Sequence, residues 1–336
     1  MDTLYIKKSD IPSWWNAIKA AHDHVVAPVR KDKVVEFARV ESYEQVATDY
    51  IQTTRSAKEV LFPRTERLFS YKKNGRDIEV QDFDPESVPS QVLWHVRPCD
   101  AASLFPLDAV FNWDYKDVMY NTRRERTAIV ATSCATADEY CFCTSVGGGA
   151  GDTRGSDILL TYTADGAIAE VMTEKGKSLV ALSQNLFTEY TAGDKDKYVA
   201  DVPRVFDVEK LKEKMHGMFD SQVWKEQSER CLGCGACAYV CPTCSCFDIQ
   251  ENPKGSCGER LRCWDSCGFA QFTLHTSGHN PRSTQASRWR QRLMHKFSYI
   301  PQRQDSLGCT GCGRCSRACP VDMNIKEHLS SIDKIQ

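Results

Sequence analysis

A cysteine pattern that occurs twice near the C-terminal end constrains this chain more than any other feature. The first copy reads Cys231-Leu-Gly-Cys234-Gly-Ala-Cys237-Ala-Tyr-Val-Cys241-Pro, and the second reads Cys309-Thr-Gly-Cys312-Gly-Arg-Cys315-Ser-Arg-Ala-Cys319-Pro. Both copies fit C-x2-C-x2-C-x3-C-P without a mismatch, which is the spacing of bacterial-type [4Fe–4S] ferredoxins. The chain is therefore expected to hold two [4Fe–4S] clusters.

The order of the cysteines also predicts which thiolates share a cluster. Gaps of two residues let the first three thiolates of a copy surround one cluster, and in two-cluster proteins of this type the fourth ligates the other cluster. We expect one cluster on Cys231, Cys234, Cys237 and Cys319 and the other on Cys309, Cys312, Cys315 and Cys241. The fourth cysteine of each copy is expected to begin the next helix. Zinc sites more often use two separated cysteine pairs, so a pair of zinc sites is the weaker interpretation.

The remaining composition predicts the cellular context. All but four of the 17 cysteines lie in the second half of the 336 residues, and repeated short spacings in a long chain indicate metal ligands rather than disulfides. The N-terminal stretch lacks a secretory signal, and no apolar run approaches the ~18 residues of a membrane span. A formal net charge of −2 gives no general attraction to nucleic acid. We therefore expect a cytoplasmic protein with no direct membrane insertion and no nucleic-acid partner.

Hydrophobic periodicity predicts two domains in an α+β protein. Residues 1–205 are expected to form a mixed α+β domain that begins with a helix at Ser9-Asp10-Ile11-Pro12. Its predicted strands are Val25–Val29, Val34–Phe37, Gln91–Val96 and Thr127–Thr132. From Asp207 onward apolar residues recur every three to four positions and strand signals nearly vanish. Residues 206–336 are therefore expected to form an all-helical, ferredoxin-like domain around the two clusters.

Four cysteines in the first domain form a candidate third iron–sulfur site. Cys99 and Cys134 each follow a predicted strand, and Cys141 and Cys143 come shortly after Cys134. If the two strands are neighbours, their ends bring Cys99 and Cys134 together, and the loop to Cys143 closes the site. The alternative is a set of buried free thiols, because cysteine is among the most buried residue types. The glycine run at 147–151 lacks the last glycine of G-x-G-x-x-G, so it predicts a turn beside this site rather than a nucleotide site.

The segment between the two motifs holds further cysteines and a basic stretch. Cys244, Cys246 and Cys267 have no complete ligand set, and we interpret them as structural thiols or weak hydrogen-bond donors to the clusters. Residues 279–297 carry several Arg and Lys residues interleaved with apolar ones at helical spacing. This stretch is expected to be a core helix with a solvated basic face, and docking of an acidic partner is the alternative.

Several short motifs carry a resemblance to a known family. They are Ala27-Pro28-Val29, Cys99-Asp100, Ser133-Cys134, Asp138-Glu139-Tyr140-Cys141-Phe142-Cys143, Cys241-Pro242-Thr243-Cys244-Ser245-Cys246, Trp264-Asp265-Ser266-Cys267 and Gly278-His279-Asn280. In this order they resemble the β (iron–sulfur) subunits of soluble NAD(P)-linked nickel–iron hydrogenases, or sulfhydrogenases, and the related iron–sulfur subunits of anaerobic sulfite reductases. The similarity extends over most of the chain.

The resemblance implies an electron-transfer subunit with no substrate site of its own. Such a subunit would relay electrons between a flavoprotein subunit that binds NAD(P) and a catalytic subunit, with a hydrogenase as the first candidate. It also implies a third site on the four N-terminal cysteines, because their local contexts belong to the shared motifs. The sequence has no flavin or nicotinamide fingerprint. The alternatives are a subunit of a sulfite, sulfur or heterodisulfide reductase complex and a catalytic subunit with an open cluster site.

Overall fold

Two β-sheets organise the fold, which we describe from a computed structural model covering residues 2–191 and 193–335. In chain order the strands are β1 (Asp2–Lys7), β2 (His24–Lys31), β3 (Val34–Arg39), β4 (Thr65–Asn74), β5 (Asp77–Asp82), β6 (Gln91–Val96), β7 (Thr127–Thr132), β8 (Ile158–Tyr162), β9 (Gly166–Val171), β10 (Phe187–Glu189), β11 (Phe247–Lys254) and β12 (Cys257–Trp264). The larger, mixed sheet has the order β10-β1-β9-β8-β7-β6-β2-β3, and the smaller, antiparallel sheet has the order β11-β12-β4-β5.

The centre of the larger sheet is parallel. Strands β2, β6, β7 and β8 run in one direction, whereas the outer strands pair antiparallel. Both β6 and β7 are buried along their whole length, as expected for strands covered on both faces. Their bounds match the predicted strands residue for residue, so those two predictions are confirmed. The carboxyl ends of these neighbouring strands lead directly to Cys99 and Cys134.

Helices cover both faces of the larger sheet and are the main regular elements of the C-terminal third. They are α1 (Ile11–Ala21), α2 (Lys58–Leu61), α3 (Pro98–Ala102), α4 (Leu104–Phe111), α5 (Val118–Glu125), α6 (Glu174–Ala181), α7 (Val208–His216), α8 (Val223–Ser228), α9 (Ala236–Tyr239), α10 (Gln285–Met294), α11 (Ile300–Arg303), α12 (Arg314–Arg317) and α13 (Ile325–Asp333). The predicted first helix is confirmed as α1, whose Trp14 and Trp15 are fully buried against the sheet. Among the helices of the described residues, none is long and apolar enough to cross a membrane.

The smaller sheet corrects the expectation of an all-helical C-terminal domain. The α+β class is confirmed, but β11 and β12 form a hairpin between the two cysteine motifs, where the sequence predicted no strands. Strand β12 pairs with β4, so this sheet joins segments from both halves of the chain. The hairpin escaped the sequence pattern because β11 is exposed at every position and its apolar alternation is limited to Phe247 and Ile249. Its strand conformation depends on pairing with β12 rather than on an apolar pattern of its own.

The C-terminal helices surround the two cysteine motifs and share an apolar core with members on α7, α10 and α13. The short helices α9 and α12 span the third cysteine of each motif and end before the fourth. The expectation that Cys241 and Cys319 begin helices is therefore wrong. Helix α10 continues into a π-helical segment, His295–Tyr299, a distortion that is frequent at functional sites.

Candidate iron–sulfur centres

The first cysteine motif lines a small cavity, which we call the first-motif cavity. Three cysteines of the first motif, Cys231, Cys234 and Cys237, form part of its wall. The fourth cysteine of the other motif, Cys319, lies on the same wall. The structure thus brings together the four cysteines that the crossover pattern assigns to one cluster.

The second motif lines a separate cavity, the second-motif cavity. Its wall includes Cys309, Cys312 and Cys315 from the second motif together with Cys241, the last cysteine of the first. Cys315, Arg292 and Ile325 line both cavities and so form a wall between them. The two predicted ligand sets therefore lie side by side.

The surroundings of these thiols fit iron–sulfur clusters. The side-chain amide of Gln285 donates to Cys231 Sγ at 3.0 Å, and the backbone N–H of Met323 donates to Cys319 Sγ at 3.2 Å. Hydrogen bonds of this kind to ligand sulfurs are a normal part of cluster sites. Across the described residues no three His, Cys, Asp or Glu side chains converge on one point as ligands of a single ion do. The cysteines instead surround the two cavities.

The protonation of the metal-free thiols differs between positions. Burial raises the pKa of Cys237, Cys309 and Cys312 to about 12 each. Cys241 is the exception, because a hydrogen bond from Cys244 and the charges of Lys296 and Arg292 hold its pKa well below the usual range. Ligands must be deprotonated to bind metal, so loading either cavity releases protons.

The four N-terminal cysteines also lie together. Burial, followed by the charges of Cys134 and Cys141, raises the pKa of Cys143 to about 12. Burial likewise raises the pKa of Cys134 to about 11, and Cys141 adds to that effect. Burial raises the pKa of Cys99, and Cys134 is near enough for its charge to raise that pKa further. The expectation that adjacent strand ends gather these cysteines agrees with the parallel pairing of β6 and β7. We call these residues the N-terminal cysteine group.

A buried ion pair joins the N-terminal cysteine group to the second motif. Arg314 lies between Cys312 and Cys315 and donates through Nη1 to Asp100 Oδ1 at 2.6 Å. Both side chains are only 1% exposed, and the two residues are 214 positions apart in the chain. Because Asp100 directly follows Cys99, the pair fixes the two cysteine sites against each other.

A second contact holds the loop of Cys141 and Cys143 on the same motif. Arg317 Nε donates to Asp138 Oδ2 at 3.1 Å, and its Nη1 donates to the carbonyl of Cys312 at 2.8 Å. The backbone N–H of Phe142 donates to the carbonyl of Gly311 at 3.0 Å. The N-terminal cysteine group is therefore packed directly on the loop of the second-motif cavity.

Both ends of this row of cysteine sites reach the protein surface. Cys234, at the first-motif cavity, is exposed. At the other end, Cys99 and Cys143 line an open cleft of about 460 Å³, together with Cys309 of the second motif. The row of sites thus runs from one solvent-facing end to another.

Three cysteines of the intervening segment, Cys244, Cys246 and Cys267, lie beside the second-motif cavity rather than on its wall. Cys244 interacts with Cys241, and Cys246 interacts with Cys267. The buried side chain of Lys58 donates to the carbonyl of Cys244 at 2.7 Å. These thiols therefore lie behind Cys241 and form no part of the cavity wall.

Two functional residues escaped the sequence interpretation. Arg292 and Lys296 belong to the basic stretch that was expected to be a solvated face, yet they are 5% and 4% exposed. Lys296 Nζ donates to Cys241 Sγ at 3.3 Å, and Arg292 Nη2 donates to the carbonyl of Cys237 at 2.9 Å. Their positions four residues apart, on the same helical face as Trp289, are the signal that predicts burial.

Comparisons with known proteins agree with this chemistry. Two neighbouring cavities lined by cysteines of ferredoxin spacing define a protein of the iron–sulfur class. A family model described as a 4Fe-4S dicluster domain matches residues 230–323. The whole chain is 32% identical over 333 residues to Sulfhydrogenase 2 subunit beta of Pyrococcus furiosus, covering 97% of this chain and 96% of that protein. The chain belongs to this family of iron–sulfur hydrogenase β subunits, which confirms the resemblance found in the sequence.

Proposed function

We propose that this chain relays electrons between a flavoprotein subunit that binds NAD(P) and the catalytic subunit of a hydrogenase complex. The observation that carries the proposal is the row of three cysteine sites, in which each site contacts the next. The N-terminal cysteine group packs on the loop of the second motif, and the two cavities share a wall that includes Arg292. A relay subunit needs such an arrangement and needs no substrate pocket of its own.

The proposed ligands follow the crossover pattern. Cys231, Cys234, Cys237 and Cys319 would hold one [4Fe–4S] cluster, and Cys309, Cys312, Cys315 and Cys241 would hold the other. Cys99, Cys134, Cys141 and Cys143 would hold a third iron–sulfur cluster. When bound, these groups supply one-electron transfer, and the protein controls it through hydrogen bonds, burial and nearby charge.

Residues of this chain would hold the three sites in contact and leave both ends of the row accessible. The ion pair between Arg314 and Asp100 keeps the third site in contact with the second-motif cavity. The exposed Cys234 loop and the cleft at Cys99 offer two ends at which partner subunits would dock. We further propose that residues 1–205 and 206–336 form two parts of the chain joined by the smaller sheet. The complex would be cytoplasmic, consistent with cluster-bearing rather than disulfide-bonded cysteines.

The test uses the intact complex with Cys312→Ser in this subunit. Hydrogen-dependent reduction of NAD(P)⁺ should fall at least tenfold, because the middle site of the row is damaged, whereas reduction of a viologen dye at the catalytic subunit should persist. Cys257→Ser is the matched control, since Cys257 is exposed on β12 away from the three sites. Full NAD(P)⁺ reduction by the Cys312→Ser complex would contradict the proposal. Assays with sulfite, sulfur and a heterodisulfide as acceptors distinguish the alternative terminal reactions.

A further inference from the structure

The two cysteine cavities have the same ligand spacing but different charges around them. On the second-motif cavity, Lys296 Nζ donates to Cys241 Sγ at 3.3 Å, to Thr243 Oγ1 at 3.0 Å and to the carbonyl of Gly308 at 2.7 Å. Arg292 lies on the wall between the cavities, with Nη1 3.7 Å from Cys244 Sγ. Both cations are almost completely buried.

These two cations have only sulfur, hydroxyl and carbonyl partners. Within residues 2–191 and 193–335, neither comes within the 4.0 Å of an Asp or Glu carboxylate that defines an ion pair. An unpaired buried charge costs several kcal/mol. The anionic partners available to Lys296 and Arg292 are therefore the thiolates that line the cavities.

Fewer buried positive charges lie near the sulfurs of the first-motif cavity. Its sulfurs receive hydrogen bonds from neutral groups, the Gln285 amide at Cys231 and the Met323 N–H at Cys319. Cys234 is exposed, so water screens charge there. Arg288 also lines this cavity, but it is half-buried and its guanidinium bonds the carbonyls of Arg282 and Ser283.

We propose that Lys296 sets the order of the reduction potentials, so that the second-motif cluster accepts an electron before the first-motif cluster, and that Arg292 raises the potentials of both. Reduction adds negative charge to a cluster, and a buried cation or a hydrogen bond at its sulfurs stabilises that added charge. Lys296 acts mainly on the second-motif cluster, whereas Arg292 acts on both. This inference rests on the proposed relay function. It adds which of the two ferredoxin-type clusters is reduced first.

The experiment is a potentiometric titration of the full chain, purified anaerobically, followed by electron paramagnetic resonance. A Cys234→Ser variant assigns the signal of the first-motif cluster. In Lys296→Gln the ratio of reduced to oxidised second-motif cluster at a fixed potential should fall at least tenfold, which corresponds to 59 mV for one electron. Arg292→Gln should lower this ratio for both clusters, and Lys296→Arg should restore most of the lost ratio.

Arg290→Gln is the matched control, because it removes the same charge from the same helix at a residue that lines neither cavity. Its titration should match that of the wild type. An unchanged ratio in Lys296→Gln, with iron content intact, would overturn the inference while leaving the relay function in place. A wild-type protein without clusters would instead defeat the proposed function itself. If Lys296→Gln fails to hold its cluster, the wild-type titration still decides the question, because reduction of the first-motif cluster before the second-motif cluster would overturn the inference.

Discussion

The two cysteine motifs have identical spacing and opposite surroundings. In the first motif Leu232 is 67% exposed and Cys234 is exposed, whereas in the second motif Cys312 and Arg314 are buried. The position taken by Ala236 in the first motif is taken by Arg314 in the second, and Arg314 pairs with Asp100 of the N-terminal half, which alanine cannot do. Motif spacing thus selects which thiolates meet. The rest of the chain determines whether a site is buried, how it is charged and whether it contacts the N-terminal half.

The largest expected effect comes from breaking the crossover between the motifs. Cys319→Ser removes a proposed ligand of the first-motif cluster, although Cys319 belongs to the second motif. We expect loss or conversion of the cluster built on Cys231, Cys234 and Cys237, measured by iron content and electron paramagnetic resonance. Damage confined to the other cluster would contradict the crossover. Cys257→Ser, at an exposed cysteine, should leave both signals unchanged.

The next prediction separates the N-terminal cysteine group from both motifs. Cys141→Ser should remove the iron of the third site and leave the two ferredoxin-type clusters in place, because Cys141 lines neither motif cavity. The measurement is iron and acid-labile sulfide per chain beside the wild type. Equal iron content in the two proteins would reduce the N-terminal cysteines to structural thiols.

A smaller effect is expected from removing the buried ion pair that joins the second motif to the N-terminal cysteine group. Asp100→Asn leaves Arg314 buried without its carboxylate, and loss of one partner of a buried pair costs about 3–5 kcal/mol of unfolding free energy. Anaerobic urea denaturation measures this change. Glu174→Gln is the control, because its pair with Lys177 is exposed and should contribute less than about 1 kcal/mol. If Asp100→Asn lowers the unfolding free energy by less than about 1 kcal/mol, the ion pair between Asp100 and Arg314 does not stabilise the fold.

The smallest expected effect is a difference in unfolding free energy between alanine substitutions at equivalent glycines of the two motifs. Gly233 and Gly311 both have φ of +67°, so alanine costs roughly 1–2 kcal/mol at either position from backbone strain alone. A Cβ on Gly311 would lie 2.6 Å from Cys143 Cα, whereas a Cβ on Gly233 would meet the flexible Gln285 side chain at 3.0 Å. Gly311→Ala should therefore destabilise the protein more than Gly233→Ala in the same urea experiment. Equal effects would argue against tight packing of the N-terminal loop on the second motif.

Much of the candidate site was predictable from the sequence because its determinants are local. The apolar runs of β6 and β7 predicted the neighbouring strands whose ends carry Cys99 and Cys134, and motif spacing predicted the two groups of four cysteines that the structure brings together. The hairpin of β11 and β12 was missed because β11 is exposed throughout and β12 pairs with β4, a strand far away in the chain.

The connections between the sites were not predictable, because they depend on contacts between residues far apart in the chain. Arg314 and Asp100 are separated by 214 positions, and nothing local indicates their pairing. Arg292 and Lys296 belong to a stretch whose charge pattern is typical of a solvated basic face, and only the fold places them beside thiols. Burial of a charge is a tertiary property, so a sequence pattern predicts it only where the charge falls on an otherwise apolar face.

The most direct test of the central claim is the number of irons and acid-labile sulfides per chain, measured on anaerobically purified protein together with low-temperature electron paramagnetic resonance. We expect about eight irons from two interacting [4Fe–4S] clusters, with about two to four more from the N-terminal cysteine group. Far fewer irons, with zinc in their place and no cluster signal after reduction, would contradict that claim.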